Sequence, residues 1–195
     1  MSFLSADEIA AMGFAAVGQD ARISRRASFY NAANIHLGDH VRIDDFCVLS
    51  AGAGGIFVGR NVHIAVYCSL IGKGAITLQD FVGLSSRVAI YSSNDDYSGA
   101  YLTGPTVPPE FTNITAGPVT LCRHAILGSG SVVLPNLTVG EGAAVGALSL
   151  VSRDCDSFGV YVGVPARKIK ERSRDLLVQE QAYLQGASSV SARVP

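Results

Sequence analysis

Aliphatic residues recur every six positions through most of this chain, each followed four places later by a small or apolar residue. From Leu121 the phase runs without a slip through Leu127, Val133, Val139, Val145 and Val151, with Ala125, Ser131, Leu137, Ala143 and Ser149 at the fourth place. Upstream it comes in threes: Leu37, Ile43, Leu49; then Val58, Ile64, Leu70; then Leu78, Leu84, Ile90, with Val17, Ile23 and Phe29 starting the series. Six residues are too few for a helix pair and suit one short strand and a turn. Three sextets therefore predict a triangular coil with its aliphatic corners inward, and successive coils stack as parallel strands about 4.8 Å apart. Six consecutive sextets in phase are not what a set of ordinary buried strands produces.

The rest of the composition narrows the class. With 195 residues, 48% of them apolar, the chain suits one all-β domain with a continuous core. A formal net charge of -1 gives no basic field for nucleic acid or anionic lipid. The N-terminus lacks a charged segment followed by an apolar run, and no 18-residue apolar stretch occurs, so no membrane insertion is expected and the protein is placed in the cytoplasm. Cys47, Cys68, Cys122 and Cys155 show no C-x-x-C pair and read as reduced thiols, with no metal site.

The ends and one interruption depart from the repeat. Ser5 and Glu8 form a capping-box pattern before Ile9 and Met12, with Gly13 as a stop, which predicts a short helical cap within residues 1–16. The solenoid is expected over 17–164, an amphipathic helix over 165–185 and a disordered tail over 186–195. Between Ile90 and Leu121 the phase stops and then resumes at once, so residues 92–118 are expected as an ejected loop holding Asp95, Asp96 and Tyr97. A loop of that length within a compact domain is functional or disordered.

Stacking makes neighbours of residues distant in sequence. The residue just before the corner runs Arg42, His63, Gly83, Ile126, Ala144 up one edge, and the residue just after it runs Asp44, Ala65, Ser85, Gly128, Gly146. A polar stretch thus passes into a smooth groove. The glycines either let a ligand lie against the backbone or serve only as tight turns.

The repeat resembles the hexapeptide family, whose motif is seen in Val139-Gly140-Glu141-Gly142-Ala143-Ala144, and the resemblance implies a left-handed parallel β-helix. The hand comes from the resemblance alone, since the general crossover rule favours the right. A narrower similarity is carried by Val41-Arg42-Ile43-Asp44-Asp45-Phe46-Cys47, Leu84-Ser85-Ser86-Arg87, Asp95-Asp96-Tyr97-Ser98-Gly99, Gly104-Pro105-Thr106 and Tyr161-Val162-Gly163-Val164-Pro165-Ala166-Arg167-Lys168-Ile169. These segments look like the nucleotide-sugar N-acyltransferases, especially those acting on dTDP-4-amino-4,6-dideoxyglucose. The resemblance implies a homotrimer with active sites between subunits, acetyl-CoA or another acyl-CoA as donor, and a dTDP-amino sugar acceptor destined for surface glycans.

On that reading Asp95 holds the amino group and takes its proton, and the Ser85 hydroxyl orients the acceptor or donates to the oxyanion. His63 is the competing base, or a structural histidine bonded to a neighbouring turn. Arg42 and Arg87 are candidates for the diphosphate, with Asp44, Asp45, Ser86, Asp96 and Tyr97 around the acceptor. Gly128, Gly146, Arg167 and Lys168 are candidates for coenzyme A. The loop lacks the histidine that many hexapeptide acyltransferases use, which weighs against the runner-up, O-acetylation of a sugar or serine. The same solenoid also serves zinc-dependent carbonic anhydrases, which need three imidazoles on one metal. Here His36, His40, His63 and His124 are scattered, and His40 and His124, though in one column, stand about three rungs or 14 Å apart. A structural or ice-binding solenoid would carry a repeated Thr-x-Thr array, and none occurs.

Overall fold

The computed structural model describes residues 2–191, with 187–191 as backbone only. The coil has three flat faces, each a parallel sheet. The first contains Ala16–Val17, Ile35–Leu37, Ile56–Val58, Ile76–Leu78, Val119–Leu121 and Leu137–Val139. The second contains Arg22–Ile23, Arg42–Ile43, His63–Ile64, Gly83–Leu84, Ile126–Leu127, Ala144–Val145 and Gly159–Val162. The third contains Ser28–Tyr30, Val48–Ala51, Ser69–Gly72, Ala89–Tyr91, Val132–Val133 and Leu150–Val151. Chain order takes one strand to each face in turn, the topology of a hexapeptide-repeat β-helix.

The six-residue period holds this arrangement because it puts the same two positions inside at every corner. Ile43, Ile64, Leu84 and Leu127 stack at the second face, and Leu49, Leu70, Ile90 and Val133 at the third, all buried. Two places before them lie Val41, Val62, Val82 and Ala125, and likewise Cys47, Cys68, Val88 and Ser131, also buried. Each full burial of a Val, Leu or Ile side chain contributes about 1.5–3 kcal/mol.

The turns explain the third position of the sextet. Asp20, His40, Asn61, Phe81 and His124, each three places before a corner residue, have positive φ, as do Phe46, Tyr67 and Arg87 on the next edge. That conformation costs non-glycine residues about 1–3 kcal/mol. It is offset by a backbone bond to the coil below: His40 N donates to Gln19 O at 2.7 Å, Asn61 N to Asp39 O at 2.8 Å and Phe81 N to Arg60 O at 3.0 Å.

The N-terminal cap is α1 (Ala6–Ala11), and its capping box forms as expected between Ser5 and Glu8. The expected helix over 165–185 is corrected. Arg167–Glu171 is an antiparallel strand on Gly159–Val162 that closes the second sheet, and α2 starts only at Leu176 and runs to Ser191. The expected tail over 186–195 is therefore helical through Ser191, and 192–195 lie outside the described residues. α2 docks through Glu180, which is 8% exposed, rather than through a continuous apolar stripe, and Val178 stays exposed. Glu180 Oε2 lies 2.9 Å from His124 Nε2, its other oxygen meets Arg123, and Tyr183 donates to Asn61 at 3.2 Å.

Candidate active site

The edge between the second and third faces carries the polar residues that the stacked columns predict. Arg42 pairs with His63, His63 with Gly83, Gly83 with Ile126 and Ile126 with Ala144, in register. The next column follows by backbone bonding, with Asp44 N donating to Ile64 O, Ala65 N to Leu84 O, Ser85 N to Leu127 O and Gly128 N to Val145 O.

Asp44 is the buried centre of this edge, at 4% exposure. Its Oδ1 accepts from Arg42 Nε at 2.8 Å, and its Oδ2 lies 2.9 Å from His63 Nε2. Burial pushes the Asp44 carboxyl up, but the hydrogen bonds from Arg42 and His63 outweigh it and hold the group below the usual carboxylate range. His63 is therefore oriented by a carboxylate while half of its side chain stays exposed.

One rung on, His63, Ala65, Gly83, Ser85, Ser86 and Ser129 border a groove of about 330 Å³. Cys68, beneath it, donates its thiol to the Ser85 carbonyl at 3.1 Å, which ties the Ser85 backbone to the core. Gly83 stands out among the glycines. A Cβ there would meet only Ile126 Cγ1, at 3.8 Å, so the fold tolerates a side chain and the open space belongs to the groove. Gly128 is the reverse, because a Cβ would come within 2.4 Å of Ala147 N. Close coil stacking requires a glycine there, a demand distinct from both the ligand and the tight-turn readings of this position. At Gly146 a Cβ would meet Val162 Cγ1 at 2.8 Å, a side chain that can turn away.

Other candidates sit elsewhere. Asp45 accepts from the Ser24 hydroxyl and lies 3.7 Å from Arg26. Arg87 is exposed two residues past Ser85 on the same edge but outside the groove's border, its guanidinium 5.6 Å above the Tyr67 ring. Lys168, on the closing strand, pairs with Asp156 and Glu171, and Arg167 donates to the Ala166 carbonyl.

The interruption is an ejected arm. Ser93–Asn94 pairs antiparallel with Thr115–Ala116 to make its neck, and the buried Ser92 hydroxyl anchors it by donating to Gly74 O at 2.8 Å. Asp96 accepts from the Ser98 hydroxyl and from Gly99 N, and these bonds, the Ser98 one foremost, lower its pKa. Asp95 is exposed, and Tyr97 is 91% exposed. The arm leaves from the third face's far edge, and among the described residues none of 92–118 borders the Ser85 groove. Ser85 and Asp95 of one chain are thus not brought together.

Two residues of the edge escaped the sequence reading. Ser129 borders the groove, and Arg22 stands in register beneath Arg42. Arg22 had a signal, since it precedes the corner residue Ile23 just as Arg42 precedes Ile43. The described residues contain no cluster of His, Cys, Asp and Glu suited to a metal ion.

No family model matches the chain. Among curated proteins it is 52% identical over 183 residues to the dTDP-4-amino-4,6-dideoxy-D-glucose acyltransferase of Escherichia coli, covering 94% of this chain and 95% of that one. Among solved structures it is similar to AntD, an N-acyltransferase from Bacillus cereus. A serine-to-alanine variant of AntD in complex with dTDP-4-amino-4,6-dideoxyglucose and coenzyme A superposes with a TM-score of 0.92 at 43% identity, covering 95% of this chain and 98% of that one. An aspartate-to-asparagine variant of AntD with dTDP and coenzyme A matches equally, at a TM-score of 0.92 and 43% identity, over 95% of this chain and 100% of that one. With its sequence aligned over nearly its whole length to the Escherichia coli enzyme, the chain belongs to the dTDP-4-amino-4,6-dideoxy-D-glucose acyltransferase family.

Proposed function

We propose that the protein transfers an acyl group, acetyl or another short one, from acyl-CoA to the amino group of dTDP-4-amino-4,6-dideoxyglucose. The observation that carries this is the pairing of an oriented polar groove around Ser85 with an acidic arm that does not reach the groove of its own chain. The amine nitrogen attacks the thioester carbonyl carbon, the tetrahedral intermediate collapses, the carbon–sulfur bond breaks and the thiolate leaves. Asp95 takes the proton lost by the amine, which ends on the departing thiol. Ser85 orients the acceptor or donates to the oxyanion. A neutral amine is a better nucleophile than a hydroxyl, so positioning and charge stabilisation supply most of the help.

The relatives support the choice of these two side chains. The serine and the aspartate replaced in AntD stand ten positions apart, as Ser85 and Asp95 do here. His63, held at Nε2 by Asp44, fits a holding role better than that of the base. Arg42, Ser86 and Ser85 face the acceptor, and the smooth stretch past Gly128 and Gly146 toward Arg167 and Lys168 takes the coenzyme A arm.

The enzyme works as a homotrimer, with each arm laid on a neighbour's groove. The arm's exposed Tyr97, Tyr101, Leu102 and Phe111 support this, since apolar groups on a projecting arm call for a surface to cover them. Its product enters surface glycans such as O-antigen. A cytoplasmic location is supported by four free cysteines and by the lack of any helix long and apolar enough to cross a membrane among the described residues.

The deciding experiment follows free thiol release from acetyl-CoA with a panel of dTDP-, UDP- and GDP-amino sugars. Release that depends on dTDP-4-amino-4,6-dideoxyglucose is expected. Release without any amino sugar, or only with hydroxyl acceptors, overturns the proposal.

A further inference from the structure

A row of buried donors stands behind the edge that carries Ser85. Cys47, Cys68 and Ser131, each two places before a third-face corner, are fully buried, and each gives its hydrogen to a carbonyl just after a second-face corner of the next coil. Cys47 donates to Ala65 O at 3.0 Å, Cys68 to Ser85 O at 3.1 Å and Ser131 to Gly146 O at 2.9 Å. Val88 fills the same position between them and has nothing to donate. There the carbonyl of the next coil, Gly128 O, accepts from Ser131 N at 3.2 Å instead. Ser85 has no such substitute. Among the described residues its carbonyl accepts from the Cys68 thiol alone, while its N–H donates to Leu127 O of the following coil at 3.0 Å. Ser85 is thus held by its N–H from one neighbouring coil and by its carbonyl from the other. A trans peptide whose oxygen turns toward the core also turns the next N–H, that of Ser86, away from it.

We propose that Cys68 is a positioning residue for acyl transfer, fixing through the Ser85 carbonyl the direction in which the Ser85 hydroxyl enters the groove. This deepens the proposed N-acyl transfer and rests on it. The thiol does not meet substrate, since Cys68 is wholly buried and lies outside the groove's border. Its leverage is geometric. A hydroxyl serves a reacting atom only over a narrow range of distance and angle, and a misplacement of about 1 Å can cost about 10²-fold in rate. Without the thiol the Ser85 carbonyl loses its donor, and the peptide turns to find another, carrying the Ser85 side chain with it. Cys47 supplies the control, because the same bond one rung earlier ends on Ala65, whose side chain is a methyl group.

Steady-state kinetics on thiol variants test this role. Cys68→Val removes the donor without opening a cavity and installs the residue that the fold already accepts at Val88. It is expected to lower kcat about tenfold, with KM for acyl-CoA and for the dTDP-amino sugar each within about twofold of wild type. Cys68→Ser keeps a donor, as Ser131 does, and should recover most of the loss. Cys47→Val should shift the melting temperature as Cys68→Val does, yet keep the wild-type kcat. In a Ser85→Ala background Cys68→Val should lower kcat no further, since the group it positions is gone. If Cys68→Val does not fold, Cys68→Ala takes its place in every comparison. A wild-type kcat in Cys68→Val, an equal loss in Cys47→Val, or the same loss added on top of Ser85→Ala overturns the positioning role while leaving the reaction standing. A wild-type protein that acylates no dTDP-amino sugar overturns the reaction assigned above, and the role of Cys68 with it.

Discussion

The Nε2 of His63 lies 2.9 Å from Oδ2 of Asp44, a carboxylate buried to 4% exposure whose other oxygen accepts from Arg42. One buried group therefore sets the orientation of two half-exposed ones. Because His63 and Arg42 both reach solvent, losing Asp44 strands neither in the core. Asp44→Ala should cost about 1–3 kcal/mol, read as a lowered melting temperature. The pH dependence has a definite sign. The Asp44 carboxyl titrates below its ordinary 3.8 in the folded protein, so its contribution is intact above about pH 3.8 and is lost as pH falls through the folded value. The difference in melting temperature between wild type and Asp44→Asn should hold from pH 7 down to about 4 and narrow below it. A difference that narrows between pH 7 and 5 would refute the assignment.

Gly83 and Gly128 are predicted to behave oppositely. At Gly83 a methyl group meets nothing closer than 3.8 Å, so Gly83→Ala should fold with unchanged or slightly raised stability, by up to about 1 kcal/mol. It should nevertheless impair acyl transfer, because the methyl group occupies the groove beside Ser85. At Gly128 the methyl group meets the backbone of the next coil at 2.4 Å, so Gly128→Ala should lose about 1–3 kcal/mol by overpacking. Thermal melts and steady-state kinetics on the two variants separate these outcomes. Equal stability losses would remove the distinction.

The thiols give a prediction about the core. Cys47 and Cys68 are fully buried, and Cys155 is 5% exposed, with burial pushing its thiol up to about 11. Only Cys122 is partly open to solvent. A colourless disulfide reagent at pH 8 should label the native protein at Cys122 alone and all four cysteines in denaturant. Cys122→Ser should abolish native labelling. The raised Cys155 value means that the folded state holds a proton which the unfolded chain gives up near 9.0. Its contribution is present below pH 9 and is lost as pH rises toward about 11. Cys155→Ala should flatten the alkaline fall in melting temperature.

The fold was legible because a six-residue period leaves little freedom. Once Ile43, Ile64 and Leu84 must all point inward, the register of Arg42, His63 and Gly83 follows, and so does the neighbourhood of Ser85. The segment after Pro165 was not legible for a physical reason. Arg167–Glu171 caps the open edge of the second sheet, and an edge strand is protected by charge, which makes its sequence look like a helix surface. With Val160 and Tyr161 as the last coil of the second sheet, an open edge remains that needs cover. The site was half legible. Columns within one chain place Ser85 beside His63, but no periodicity says which surface an ejected arm will meet, because the repeat fixes neighbours only within the coil.

That gap has a direct test. Ser85→Ala should lower kcat about 10²–10³-fold, the usual loss when an oxyanion donor is removed, and Asp95→Asn should lower it by a comparable factor with the KM for acyl-CoA little changed. If the arm of one copy serves the groove of the next, the two defects fall on different chains of a mixed assembly. A site that combines an intact groove from the Asp95→Asn chain with an intact arm from the Ser85→Ala chain is whole. Random mixing at equal amounts makes about a quarter of the sites whole in a cyclic oligomer. Unfolding and refolding the two inactive proteins together should therefore restore about a quarter of wild-type turnover, while each refolded alone stays inactive. Restoration that fails although mixed oligomers form would mean that Ser85 and Asp95 act within one chain or not in the same site.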